Sequence, residues 1–140
     1  MKLIEQYRHD GEGYDPSLVS DGWQAAFLNY ADAESLERIV KLDIHHLTDE
    51  AFVLLDGHSV LIAASIADDV VDYDLVDMIP GIIYNIPRET WHKIAMKPGS
   101  KVCIIEKSNT HISDFEFYDL SAQQQKDLQD AVNSLLADKR

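Results

Sequence analysis

Two stretches of this chain decide its fold: residues 45–57, HHLTDEAFVLLDG, and residues 81–92, GIIYNIPRETWH. Each stretch places imidazole or carboxylate side chains beside an apolar run that favours a β-strand and a Gly or Pro that favours a turn. Imidazole nitrogen and carboxylate oxygen together suit a divalent transition metal such as Zn, Fe, Ni or Mn. Because the two stretches are well separated in sequence, they can meet only if the chain folds back as a sheet or barrel.

Short segments of β-type sequence, separated by turn residues, fill most of the chain. We predict strands at residues 23–31, 36–44, 51–55, 59–64, 70–76, 82–86, 91–96, 102–106 and 115–120. The continuously apolar segment 51–55 predicts a strand buried on both faces, and Asp56-Gly57-His58 predicts a hairpin turn after it. Many short strands punctuated by Gly and Pro are typical of a sandwich or barrel.

The two ends of the chain differ from this β-rich middle. Residues 1–22 are polar and carry Gly and Pro, which predicts a mostly irregular arm with one strand at residues 3–7. Near the other end, Ser121 and Gln124 form a capping box, and one helix face carries Leu128, Val132, Leu135 and Leu136. We predict a single domain over residues 1–140, with an arm at 1–22, a barrel at 23–120 and a helix at 121–140.

The composition restricts the classes of partner. The chain has 140 residues and a formal net charge of -13, which disfavours nucleic acid and anionic membranes because both require a Lys/Arg patch. The N-terminus lacks the apolar core of a signal peptide, and no apolar stretch has the length of a membrane span. The single Cys103 lies in an apolar run and is interpreted as a buried small hydrophobe. We expect a cytoplasmic protein with reduced thiols.

The spacing inside the two deciding stretches resembles the two-motif signature of the cupin superfamily. Glu50 is followed by six residues and Gly57, while Gly81 is followed by five residues, Pro87 and then His92. The superfamily pattern runs G-x5-H-x-H-x3,4-E-x6-G and then G-x5-P-x-G-x2-H-x3-N. The chain is similar, more closely, to a group of small single-domain bacterial cupins. This resemblance implies an all-β fold, a double-stranded β-helix or jelly-roll (RmlC-like) barrel, with the C-terminal α-helix packed outside.

The resemblance also implies a set of metal ligands, which this chain matches only in part. Glu50 takes the position of the carboxylate ligand and His92 that of the second-motif histidine. The two His of H-x-H are adjacent here: one register places His45 and Asp43 in those positions, and the other places His46 and Ile44. Apolar neighbours favour the second register and the better donor set favours the first. We take His45, Glu50 and His92 as ligands of one divalent metal, with Asp43 and His46 as alternatives.

Two further departures put the completeness of that ligand set in question. Glu89 stands where the second motif has a Gly, and Met96 stands where it has the closing Asn. Glu89 and His46 are candidate proton-transfer residues at the barrel rim. Phe52 and Tyr84 are candidate pocket-lining residues.

Three functions remain open at this level. The first is a metal-assisted enzyme acting on a small polar metabolite, a sugar or a carboxylate. The second is a ligand-binding or sensor cupin without turnover. The third is a metal-independent sugar isomerase or epimerase, whose His–carboxylate dyad would be His45 with Asp43 or His92 with Glu50. The resemblance further implies a homodimer, for which the arm and the strand at residues 23–30 could extend a sheet into the partner.

Overall fold

The computed structural model describes residues 1–137 and contains two antiparallel sheets of five strands each. The strands are β1 Gly13–Val19, β2 Gln24–Asn29, β3 Lys41–Ile44, β4 Glu50–Asp56, β5 Ser59–Ala67, β6 Val70–Asp77, β7 Tyr84–Ile86, β8 Trp91–Met96, β9 Lys101–Glu106 and β10 Glu116–Asp119. A 3-10 turn lies at Asp32–Glu34, a short helix α1 at Thr110–Ser113 and a longer helix α2 at Ala122–Ala137. The all-β jelly-roll prediction with a C-terminal helix is confirmed.

The strands are shared between the sheets so that consecutive strands often lie in different sheets. We call the sheet ordered β1-β2-β9-β4-β7 sheet A and the sheet ordered β10-β3-β8-β5-β6 sheet B. The hairpin predicted at residues 56–58 is wrong, because β4 belongs to sheet A and β5 to sheet B. These residues instead form a corner at which the chain crosses between the sheets.

Two apolar cores hold this arrangement together. The first lies between the inner faces of the sheets and includes Phe52, Leu54, Met96 and Val102. The second lies on the outer face of sheet B, where α2 buries Leu128 and Val132 completely. The predicted capping box starts this helix, since Gln124 N–H donates to Ser121 Oγ (3.1 Å) and Ser121 N–H donates to Gln124 Oε1 (2.8 Å).

The N-terminal segment differs from the prediction. Residues 3–7 form no strand, and the first strand is β1 at Gly13–Val19, which pairs with β2. β2 therefore lies between β1 and β9 with both of its edges hydrogen-bonded. The predicted extension of a sheet through residues 23–30 is wrong, because an interior strand has no free backbone groups to offer a partner.

Two other details also depart from the sequence-based expectation. Strand β4 alternates between buried and more exposed residues, with Phe52 and Leu54 inside and Leu55 outside, so it is not buried on both faces. The strand predicted at residues 36–44 is shorter and begins only at Lys41, because the Leu36 N–H donates to the Met96 carbonyl in an isolated hydrogen bond that belongs to no β-strand pair.

None of the helices within residues 1–137 has the length and apolarity needed to cross a membrane.

The corner between the sheets depends on Gly57. Its φ is +82°, and a Cβ at this position would lie 2.5 Å from Ser100 Cα. The Ser100 hydroxyl accepts from His58 N–H (2.9 Å) and donates to the His58 carbonyl (2.8 Å). The corner is thus closed by a contact with the backbone of the β8–β9 turn that leaves no space for a side chain.

We predict that Gly57→Ala destabilises the fold by about 3 kcal/mol, combining the left-handed backbone strain with a backbone clash. Gly99→Ala is the matched control: Gly99 has φ +85° but nothing within 4 Å of the added Cβ. The control should cost only about 1 kcal/mol. Urea unfolding of both variants measures the difference, and equal losses would contradict the close contact at Ser100.

Candidate metal centre and its cavity

One end of the barrel interior is polar and the rest is apolar. Along each central strand the inward-facing residues change from a polar side chain to apolar ones: Gln24, Ala26, Leu28 on β2; Glu50, Phe52, Leu54 on β4; His92, Ile94, Met96 on β8; Glu106, Ile104, Val102 on β9. The strand register places the polar members at one level, since Gln24 pairs with Glu106 and Asp43 pairs with His92. Ionisable groups from both sheets therefore face one another.

Three metal-type donors converge within this polar layer. His92 Nε2 lies 2.9 Å from Glu50 Oε1, and His45 Nε2 lies 3.5 Å from Glu50 Oε2. One donor atom from each of the three residues lies within 4.8 Å of the others. Glu50 and His92 are 6% and 4% exposed, so the cluster is withdrawn from bulk solvent.

Both imidazoles are anchored through their other nitrogen. His45 Nδ1 donates to the Asp114 carbonyl (2.6 Å), and His92 Nδ1 donates to the Thr90 carbonyl (3.0 Å). A carbonyl oxygen can only accept, so Nδ1 is the protonated nitrogen in each ring. Each Nε2 is therefore directed at Glu50, as in histidine metal ligands held by a backbone carbonyl.

The same contacts set the protonation of the cluster. Burial alone would raise the pKa of Glu50, but the hydrogen bonds with His45 and His92 outweigh it and hold that pKa far below its usual range. Burial would lower the pKa of His45, yet the Glu50 carboxylate raises it to about 9. These shifts make His45 and Glu50 an imidazolium–carboxylate pair.

The structure decides between the two registers left open by the adjacent histidines. Leu42 and Ile44 are buried with their side chains away from the cavity, whereas Asp43 and His45 line it. The arrangement is that of the register containing His45. Asp43 contributes a buried Oδ1 without a hydrogen-bond partner, and burial raises the pKa of its carboxyl group.

The two candidate proton-transfer residues lie outside the cavity. His46 Nδ1 is 2.9 Å from Glu89 Oε2, and His46 Nε2 contacts Glu116. All three side chains are at least one-third exposed. His46 and Glu89 thus pair with each other at the surface, and their role as proton-transfer residues at the barrel rim stays a prediction.

The cavity beside the three donors has a volume of about 250 Å³. Phe52 lines it as predicted, with its ring centroid 6.2 Å from that of His92. Tyr84 does not line it; its hydroxyl accepts from Ile79 N–H (3.0 Å) while its ring packs against the inner core. Phe115 and Phe117 also line the cavity, with ring centroids 5.3 Å apart and both side chains partly exposed.

A second buried polar group adjoins the donors and was not predicted. The Tyr14 hydroxyl donates to Glu106 Oε1 (2.8 Å), and Gln24 Nε2 donates to the same oxygen (3.1 Å). Burial and the adjacent Glu50 carboxylate raise the pKa of Glu106 to about 8. His111, which is exposed at the barrel end, lines the cavity and accepts from Gln24 Nε2 (3.1 Å).

A signal for Glu106 is present in the sequence. Residues 102, 104 and 106 share one face of a strand, and a carboxylate ends that apolar row. Tyr14 gives no such signal, because its strand was not predicted.

Comparison with known proteins supports the barrel. No family model and no curated protein matches the chain. A cupin superfamily protein from Desulfitobacterium hafniense matches at 21% identity and TM-score 0.50, over 76% of this chain and 85% of that one. Streptomyces PAC13, solved as a variant with uridine, matches at 10% identity and TM-score 0.57, over 87% and 96%. The capsular polysaccharide assembling protein CapF from Staphylococcus aureus matches at 19% identity and TM-score 0.54, over 82% of this chain but 34% of CapF. At these identities the likeness shows the fold.

The raised pKa of Glu106 predicts a pH-dependent effect of Glu106→Gln. In the folded protein Glu106 keeps its proton up to about pH 8, whereas in the unfolded chain it releases the proton near its ordinary pKa of 4.5. The wild-type protein therefore loses stability as the pH rises from about 4.5 to about 8. Gln is neutral throughout. The free energy of unfolding of the variant, relative to that of the wild type, should therefore increase by on the order of 2 kcal/mol from pH 5 to pH 8.

Urea unfolding of metal-free protein at both pH values measures this gain. Glu37→Gln is the control, because Glu37 is exposed and its carboxylate has no hydrogen bond or ion pair within residues 1–137, and it should show no comparable pH-dependent gain. A constant difference between Glu106→Gln and wild type would contradict a protonated Glu106.

Proposed function

We propose that this chain, which has the cupin fold, is an enzyme that holds one divalent transition metal on His45, Glu50 and His92 and acts on a small polar metabolite beside it. The observation that carries the proposal is the anchoring of both imidazoles. The carbonyls of Asp114 and Thr90 fix Nδ1 of each ring, so both Nε2 atoms face the same carboxylate.

The distances among the donors fit a common ion. Donors at about 2.1 Å from a metal are separated by about 3.0–3.4 Å when the angles between them are octahedral or tetrahedral. The distance from His92 Nε2 to Glu50 Oε1 is 2.9 Å and that from His45 Nε2 to Glu50 Oε2 is 3.5 Å, so each lies at an edge of this range, on a different carboxylate oxygen. Two histidines and one carboxylate leave coordination positions open, which is the pattern of catalytic rather than structural metal sites.

The remaining cavity residues supply the conditions for chemistry on a small molecule. A bound metal would act as a Lewis acid on a carbonyl or hydroxyl oxygen of the ligand. Glu106 is buried next to Glu50 and holds a proton near neutral pH, so it can donate one within the cavity. Phe52, Phe115 and Phe117 provide apolar walls that limit water around it.

The size of the cavity limits the ligand. A volume of about 250 Å³ is large enough for a small metabolite and too small for an extended segment of a polymer. The similarity to PAC13, a protein solved with uridine, agrees with a small-molecule ligand. Sugars, carboxylic acids and related polar compounds are all candidate ligands.

We predict about one equivalent of a transition metal in protein purified without an affinity tag or chelator. His92→Ala should lose it, because the carboxylate and one histidine alone do not hold an ion tightly. His58→Ala is the matched control, since His58 contacts Asp77 (2.6 Å) away from the cluster. Elemental analysis of the three proteins provides the measurement.

Two results would count against the metal. One is wild-type protein that is metal-free and takes up none of Zn, Fe, Mn or Ni when they are added. The other is equal metal loss in His58→Ala, which would show nonspecific binding to histidine.

The contact of 2.9 Å between His92 Nε2 and Glu50 Oε1 supports a second candidate, a metal-independent acid–base dyad. This candidate requires that ligand-dependent thermal stabilisation survives complete removal of metal by EDTA. The metal-dependent proposal requires that stabilisation is lost with the metal and returns when it is added back. Stabilisation without any product formation would identify a binding protein in place of either enzyme.

A further inference from the structure

Two adjoining aromatic rings stand at the edge of the cavity. Phe115 and Phe117 line it, with ring centroids 5.3 Å apart and ring planes tilted by 44°. The two residues are 39% and 50% exposed. A single exposed Phe would need no explanation, but two neighbouring rings at the edge of a cavity form an apolar surface that a ligand can cover. We call Phe115 and Phe117 the aromatic rim.

The strand register connects the aromatic rim to the candidate donors. Phe117 on β10 is opposite Asp43 on β3, and Asp43 is opposite His92 on β8. Residues opposite one another in antiparallel strands lie on the same face of the sheet, so Phe117 is on the face that carries His92. Two strand spacings of about 4.8 Å separate their backbones, about 10 Å in total. A single ring joined directly to a small polar head group has a comparable reach.

Both rings are held in place by the protein itself. Phe115 directly follows Asp114, whose carbonyl accepts from His45 Nδ1 (2.6 Å). Lys41 Nζ lies over the Phe117 ring, 3.8 Å from its centroid. The aromatic rim is therefore fixed to the segment that carries His45, and a ligand that covers it need not order it first.

The rest of the cavity wall is divided between polar and apolar residues. Glu50, His92 and Glu106 lie at the polar level of the barrel, whereas Phe52 and Ile104 follow them toward the interior. Apolar surface thus adjoins the polar level on the inner side and at the aromatic rim. A molecule with oxygens at one end and a flat apolar ring at the other matches this division better than one that is polar all round.

We propose that the ligand of this cavity is an aromatic compound with a small oxygen-bearing head group, whose ring packs against Phe115 and Phe117 while its oxygens face His45, Glu50 and His92. This inference rests on the proposed function and narrows its candidate ligands, but the contact of the ring needs no metal. Aromatic rings pack edge-to-face or offset against one another, and these contacts add to the burial of apolar area. A saturated ring would gain the burial of area alone.

Calorimetric titration of the protein loaded with one equivalent of Zn²⁺ tests the proposal with three hydroxamates. Acetohydroxamate, cyclohexanecarbohydroxamate and benzohydroxamate share a chelating head group and differ in what it carries. Acetohydroxamate should bind through the metal alone. Benzohydroxamate should bind about thirtyfold more tightly, because its ring covers the aromatic rim. It should also bind about threefold or more tightly than the cyclohexane compound, because only its ring is aromatic.

Variants of the aromatic rim assign the difference to these residues. Phe117→Ala should weaken benzohydroxamate binding by about tenfold or more and change acetohydroxamate binding by less than about twofold. Phe117→Leu keeps an apolar side chain, should Phe117→Ala fail to fold, and should weaken benzohydroxamate binding by about threefold. Ile112→Ala is the matched control, because Ile112 lies in the same segment, is 64% exposed and does not line the cavity. It should bind all three hydroxamates as the wild type does.

Equal affinity of the wild type for benzohydroxamate and acetohydroxamate would overturn the aromatic ligand and leave the metal centre intact. Equal affinity for the benzene and cyclohexane compounds would overturn it too. Failure of acetohydroxamate to bind would instead count against the metal. The ring contact is then measured on metal-free protein, by broadening of the ¹⁹F resonance of 4-fluorophenol. Broadening that Phe117→Leu and Phe117→Ala diminish and Ile112→Ala does not would support the proposal, and its absence in the wild type would overturn it.

Discussion

The polar end of this barrel depends on one buried carboxylate, Glu50. An ionised carboxylate in a low-dielectric interior is costly unless cations or hydrogen-bond donors compensate it. His45 and His92 provide that compensation, and each is held by a backbone carbonyl from a loop, at Asp114 and Thr90. The loops at the barrel end are thus coupled to the interior charge, and a metal at the same point would take over the compensating role of the proton.

The neighbouring acid, Glu106, follows from the same constraint. Two carboxylates at one level of a barrel cannot both ionise at low cost, so one of them retains its proton. Glu50 is ionised because the histidines face it, and Glu106 is left with Tyr14 and Gln24, which are neutral. An ionised carboxylate that could hold a metal therefore stands beside a protonated one, a combination that would suit chemistry on a polar molecule in the cavity.

Local sequence patterns were sufficient for much of the fold. The positions of most strands in the middle of the chain, and the capping box of α2, depend on turn residues, alternation and short-range hydrogen bonds, and these were predicted correctly. The strand β1 was missed because its apolar character is weak and it is stabilised by pairing with β2, a contact between separate segments. The prediction of a hairpin at Gly57 was wrong for a related reason. The residues that favour a tight turn are the same whether the two flanking strands pair with each other or enter different sheets.

The candidate site divides in the same way. From the sequence by itself, strand and turn signals indicated a sandwich or barrel, and the resemblance carried by the spacing of Glu50, Gly57, Pro87 and His92 implied the jelly roll. The same resemblance implied two of the three candidate donors, Glu50 and His92. Only the tertiary structure decided that His45 and not His46 lines the cavity, and that Tyr84 does not. It alone also placed Tyr14, Gln24 and His111 beside the candidate donors. Which side of a strand faces the cavity, and which distant residues share a level with it, depends on pairing across the sheets, and no interval along one strand specifies that pairing.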